Sequence, residues 1–261
     1  MGPIRIALGV AAAVAAAAAA YYFWPAAPPP PPPSAPVAAV QPAPAAEPPA
    51  EHFPEPVAAD AAPARPLPAL DESDAAMGEA LAGVAGADAL ARFLVPERLV
   101  RNIVVTIDNL PRRTFAMRMS PVKPVGGMMP TMGQDETLAI SPDNAARYDP
   151  WVAALARVDA VKLVAVYARF YPLFQKAYGE LGYPKGHFNT RLVQVIDHLL
   201  TAPEPAEPLR LVVRHVLPEY ADPALESESA GRKVLFRMGN ANAAKVKAKL
   251  REIRRELVKA R

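Results

Sequence analysis

The chain contains no cysteine. That excludes disulfides, thiolate nucleophiles and cysteine-based zinc or iron–sulfur sites, so any exported part must be stable from its core alone. Histidine is scarce: only His52, His187, His198 and His215 occur in 261 residues. None stands in an HExxH or comparable spacing, and no metal or other cofactor is expected. Asp197 and His198 are neighbours, so on a helix they point about 100° apart and form no pair. GxSxG, Walker A and GxGxxG motifs are missing too, as is any internal repeat. Ser120 and Ser141 each precede a proline and suit turns. These absences lean against an enzyme without naming another function.

Proline is abundant, 32 residues, and clusters early. Before that cluster, Ile4 to Trp24 reads IRIALGVAAAVAAAAAAYYFW, with Arg5 its one charge. A helix of that length spans roughly 30 Å, the thickness of a bilayer core. Tyr21, Tyr22, Phe23 and Trp24 close it as an interfacial belt would, and no further Lys or Arg follows until Arg65. Residues 1–24 therefore read as a single-pass anchor in the cytoplasmic membrane, N-terminus inside, with the rest exported to the periplasm. Ala18 to Ala20 also offer a small-residue cleavage site, so a removed signal peptide is the alternative. Residues 25–68, Pro/Ala-rich and including six consecutive prolines, read as a disordered tether that reaches on the order of 130 Å if fully extended. His52 and Phe53 read as solvated tether residues.

Residues 69–261 read as one mainly α domain: bundle-like, with one or two short strands and a Pro/Gly-rich loop, preceded by the membrane helix and disordered linker. Asp71 or Ser73 can cap a helix starting near Asp74. A short helix is expected over 87–93, and a third from Pro96 to about Asn109. Three prolines and three glycines within 118–133 predict an extended loop. Helices are expected over 144–156, 159–181 and 188–201, with Pro172 kinking or breaking the second. Residues 137–140 and 209–216 are strand candidates, and 219–228 a turn region. The last helices are expected over 231–238 and 241–261, broken at Gly239.

The segments LPALDESD (67–74), IDNLPRR (107–113), YARFYPLFQKAYGELGYP (167–184), VIDHLL (195–200) and EYADPALESESAGRKVLFRMG (219–239) resemble the bacterial domain of unknown function 3014 family. The resemblance spans about residues 67–261. It implies an N-terminal membrane helix and Pro-rich linker, and it supplies no catalytic residue.

Two residue sets remain as site candidates. Arg147, Tyr148, Tyr167, Tyr171 and Tyr178, with Asp108, combine flat faces, polar tips and a carboxylate, which suits carbohydrate, peptide or headgroup binding. The tyrosines equally suit a helical core stripe. The stretch from Arg232 to Arg261 holds 11 Lys/Arg against 2 Asp/Glu, a charge of +9, leaving −6 elsewhere in a chain of net +3. Within it Lys245, Lys247, Lys249 and Arg251 suit contact with nucleic acid or anionic lipid, or a solvated helix face. Residues 238–257 are loosely similar to a helix–hairpin–helix, but Asn242 stands near the place of its second glycine. A non-catalytic module meeting an envelope protein, the cell wall or a lipid surface is the main expectation. A Tyr/Arg-lined enzyme or carbohydrate site and DNA binding are the alternatives, with nucleic acid the lesser.

Overall fold

The computed structural model describes residues 66–259 apart from 116 and 215–217. The apolar segment 4–24, nearly all of the Pro/Ala tract, His52, Phe53 and His215 lie outside the described residues. No helix among the described residues is long and apolar enough to cross a membrane.

A 3-10 turn at Leu70–Glu72 leads into α1 (Asp74–Ala85). Ser73 is the residue at its N-cap, but its hydroxyl donates to the Leu70 carbonyl and not into the helix. Gly86, at φ 88°, occupies the region that favours glycine and turns the chain into α2 (Ala87–Phe93). Helix α3 (Leu99–Asn109) starts three residues beyond the proline expected to begin it. Arg98 is left-handed at φ 51°, which a helix cannot continue through, and it makes no side-chain cap. The cap comes from α1. Asp74 accepts from Arg98 N at 2.6 Å and Leu99 N at 2.7 Å, placing a carboxylate on the positive end of α3.

The helix expected over 144–156 divides. Pro142–Tyr148 is a 3-10 segment capped by Ser141, and α4 follows at Asp149–Arg157. Helix α5 (Ala160–Glu180), capped by Asp159 on Lys162 N, runs unbroken past Pro172. A mid-helix proline costs about 3 kcal/mol. Phe170, Tyr171, Leu173 and Phe174 around it are all buried, at about 1.5–3 kcal/mol per large apolar side chain. Burial therefore outweighs the missing N–H. Helices α6 (Phe188–Leu200), α7 (Pro223–Ser227), α8 (Ala230–Arg237) and α9 (Asn240–Lys259) complete the set. α5 is central, packing against α1, α3, α6 and α9.

Among the described residues the strands are four two-residue segments in two antiparallel ladders. Thr131–Met132 (β1) pairs with Ala139–Ile140 (β2), and Leu211–Val212 (β3) with Glu219–Tyr220 (β4). A bridge between Ala139 and Arg210 links them. Within the strand expected over 209–216, Leu211–Val212 forms the ladder while Val213 is exposed outside it, and 215–216 lie outside the described residues. The expected turn over 219–228 instead holds β4, which pairs back on β3 seven to nine residues earlier, and then α7. The Pro/Gly-rich loop contains a 3-10 turn at Met117–Met119 and ends in β1, and between them it hydrogen-bonds back on the 93–95 backbone.

The helices bury three adjoining apolar clusters, centred on Phe170, Phe174 and Phe188, on Val195 and Leu235, and on Val193 and Leu257. A smaller cluster around Ile140, Leu211 and Phe236 sits under the strands.

Candidate functional site

Asp108, near the C-terminal end of α3, is almost wholly buried and is the centre of a polar hub. Arg112 donates to its carboxylate at 2.6 Å, Arg191 of α6 at 3.0 Å, and the Tyr183 hydroxyl at 3.4 Å. Arg191 also bonds the Asp108 carbonyl at 2.9 Å. The hydrogen bond to Asp108 raises the Arg112 pKa. A carboxylate held by two guanidiniums is a joint between α3, α6 and the turn carrying Tyr183. Beside it, α8 begins against the chain that leaves α3. Ala230 N and Gly231 N donate to the carbonyls of Arg112 and Leu110. A Cβ on Gly231 would lie 2.7 Å from Leu199 Cδ2, so glycine is required for that approach.

The Tyr/Arg set does not converge on this hub or on one other point. Tyr171 and Tyr178 are core residues. Tyr171 donates to Gln175, and Tyr178 stacks on Tyr183 with centroids 4.6 Å apart. Tyr167 packs on the same cluster, and its hydroxyl reaches Asn189 at 3.3 Å. Tyr148 packs on a different cluster, and burial raises its pKa. Arg147 fastens the Pro/Gly-rich loop, donating to the carbonyls of Gly126 and Gly127 at 2.7 Å each and to Asn144 at 2.7 Å.

The basic C-terminal set divides in the same way, which corrects the picture of one solvated face. Lys245 and Arg251 are exposed. Lys247 is buried, its ammonium on the Ala202 carbonyl at 2.7 Å and Glu204 at 3.3 Å. Lys249 bonds the Val158 carbonyl and Glu252. At the start of α9 the Glu207 carboxylate accepts from Asn240 N at 2.7 Å, where a helix–hairpin–helix would hold phosphate. Asn242 is buried, clamping α9 to the Ala145 carbonyl and Asp149.

One close pair has the chemistry of a base and a nucleophile: His198 Nε2 lies 2.8 Å from Ser229 Oγ. Ser229 is buried, however, and its oxygen accepts from Arg232 N as the cap of α8. The contact ties α6 to the start of α8. Burial lowers the His198 pKa, with Arg232 adding to the effect. Among the described residues no three His, Asp or Glu side chains gather closely enough to hold a metal ion.

Two open spaces stand out. A surface cleft of about 350 Å³ is lined by Arg92, Phe93, Lys123, Arg147 and Trp151 among others, with the Phe93 and Trp151 rings 4.4 Å apart. The second is a half-open pocket of about 280 Å³ where the three helical clusters meet, bounded by α1, α3, α5, α6 and α9. Its surface is almost entirely carbon, from Met77 and Phe174 at one side to Leu250 and Leu257 at the other.

The family described as Protein of unknown function (DUF3014) matches residues 99–254. The chain belongs to the DUF3014 family. Comparison with curated proteins and with solved structures yields no match. The DUF3014 match opens at the first residue of α3 and closes within α9, so it contains the Asp108 hub, the Arg147 clasp and most of the cavity wall, but not α1 or α2. Of the hub, Arg112 has a local signal, four residues after Asp108. Arg191 has none, because its pairing crosses from α3 to α6. Phe93, Lys123 and Trp151 are likewise brought to one cleft only by the way the Pro/Gly-rich loop folds back.

Proposed function

We propose that this DUF3014 protein is a membrane-tethered envelope module that binds and does not catalyse. The observation that carries the reading is the disposition of its polar side chains. Asp108 is committed to two arginines, His198 to a capping serine and Arg147 to loop carbonyls. The open spaces are instead an apolar cavity and an aromatic–basic cleft, features of binding. Tethering to the cytoplasmic membrane and export of the domain rest on the apolar run 4–24 with Arg5 ahead of it and the Pro/Ala tract behind it. A lipid surface, the cell wall or another envelope protein is then within reach. Nucleic acid is not the partner proposed, because the ammonium of Lys247 and the first amide of α9 are already occupied.

Fusions at the C-terminus test the placement. Alkaline phosphatase should be active and green fluorescent protein dark, in a membrane fraction. The reverse pattern refutes export, and a soluble exported product identifies a cleaved signal. Turnover of an esterase, phosphatase or glycosidase panel by the purified full chain would refute the non-catalytic reading.

A second reading has the cleft behind it. Paired aromatic rings beside Arg92 and Lys123 suit an anionic cell-wall sugar. Cell-wall polymer should then co-sediment with the wild-type chain and not with Trp151→Ala.

A further inference from the structure

The central pocket is half open to the surface, too large for a packing fault and walled almost wholly by carbon. Protein interiors hold few voids bigger than one water molecule, and a water needs two to four polar partners that this wall does not provide. The same wall excludes sugars, nucleotides and peptides, whose donors and acceptors would be buried without partners. What it accepts is hydrocarbon. An engineered apolar cavity of about 150 Å³ holds one benzene ring. By proportion 280 Å³ holds about eleven carbons. The cavity also joins three clusters, from Met77 and Phe174 through Val195 and Leu199 to Leu257, a path that suits a chain better than one compact ring.

We infer that this cavity binds a single unbranched alkyl chain, the tail of a lipid or a free fatty acid, with the polar head left outside. The inference deepens the binding-module reading and rests on it for the supply of such chains from a nearby membrane. The wall itself comes from five helices that the sequence brings together without any polar lining residue except Tyr167, whose hydroxyl is turned to Asn189.

The test is photolabelling of the full chain in lipid nanodiscs, with labelled residues located by mass spectrometry. One arm uses dodecanoic acid carrying a terminal diazirine. A second uses a phosphatidylglycerol with the same group in its acyl tail, so that free acid and lipid are told apart. Label is expected on the cavity-facing stretches 163–167, 192–199 and 250–257 from at least one probe. Excess unlabelled dodecanoic acid should reduce it about tenfold, and hexanoic acid far less. Val195→Phe and Val166→Phe, which fill the space, should lower the label about tenfold, the effect of excluding two buried methylenes. If either variant fails to fold, the chain-length competition on the wild-type protein still decides. An unlabelled wall, whether the cavity has collapsed or another part of the chain fills it, overturns the proposal, as does equal competition by hexanoic acid. Label on residues 4–24 reports separately on the membrane segment. A labelled wall with unlabelled 4–24 refutes tethering and keeps the cavity site, and the converse refutes the site and keeps the tether.

Discussion

Asp108 shows how one residue type can look catalytic in sequence and be structural in the fold. A carboxylate in a helix amid Tyr and Arg is compatible with acid–base work until its partners are known. Here the partners are Arg112 and Arg191, and the carboxylate is nearly inaccessible. Asp108→Ala should destabilise the domain by about 3 kcal/mol, the lower end for a broken buried pair because both arginines keep some contact with water. Urea denaturation of the variant and the wild type measures it, and a change below about 1 kcal/mol would mean the hub is dispensable. His198 gives a pH dependence. Its folded pKa lies below the ordinary histidine value of 6.5 because burial disfavours the imidazolium. The unfolded chain therefore takes up the proton first. Stability contributed by neutral His198 is complete above 6.5 and is lost as pH falls from there through the lower folded value. Melting temperature followed from about pH 7 to pH 5 should fall less steeply in His198→Gln than in the wild type. Parallel profiles would remove His198 from the account.

At the scale of elements, helices were legible where a buried stripe repeats every three or four residues. The stripe of α5 predicts its span to within a residue at each end, and α2 is read without error although none of its residues is buried. Errors arise where a long-range contact decides. Pro172 suggests a kink or a break, and no break forms because the core on both sides holds the helix together. Pro96 suggests a helix start, but Arg98 is left-handed and Asp74, 24 residues earlier, supplies the cap. The strands over 211–212 and 219–220 depend on each other, so no local pattern gives their length. Because α3 is capped from α1, Asp74→Ala should cost about 1–2 kcal/mol in chemical denaturation. The nearby Asp71→Ala breaks only an exposed pair with Arg101 and should shift stability by less than about 0.5 kcal/mol. Equal losses from the two would contradict the capping role.

For the whole molecule, the mainly α class and the DUF3014 family were both readable from residues 67–239, whereas the site was not. Its candidates were chosen as polar and aromatic side chains, and these turn out to be divided among separate clusters and structural bonds. The open interior space is made of ordinary leucines, isoleucines and valines on five helices, and a composition that also builds a filled core carries no mark of a gap. If the cavity takes an alkyl chain, dodecanoic acid at about a hundred times its dissociation constant should stabilise the folded chain by about 2.7 kcal/mol. A rise in melting temperature that grows with ligand concentration, and is missing in Val195→Phe, would show it.

The same space has a mechanical side. A dry void disappears when a chain unfolds, so the unfolded state occupies less volume and pressure favours it. The enclosed part of this apolar space adds to the unfolding volume of the ligand-free protein, usually about −20 to −100 mL/mol. An occupant that fills the void would make the protein stiffer to compression.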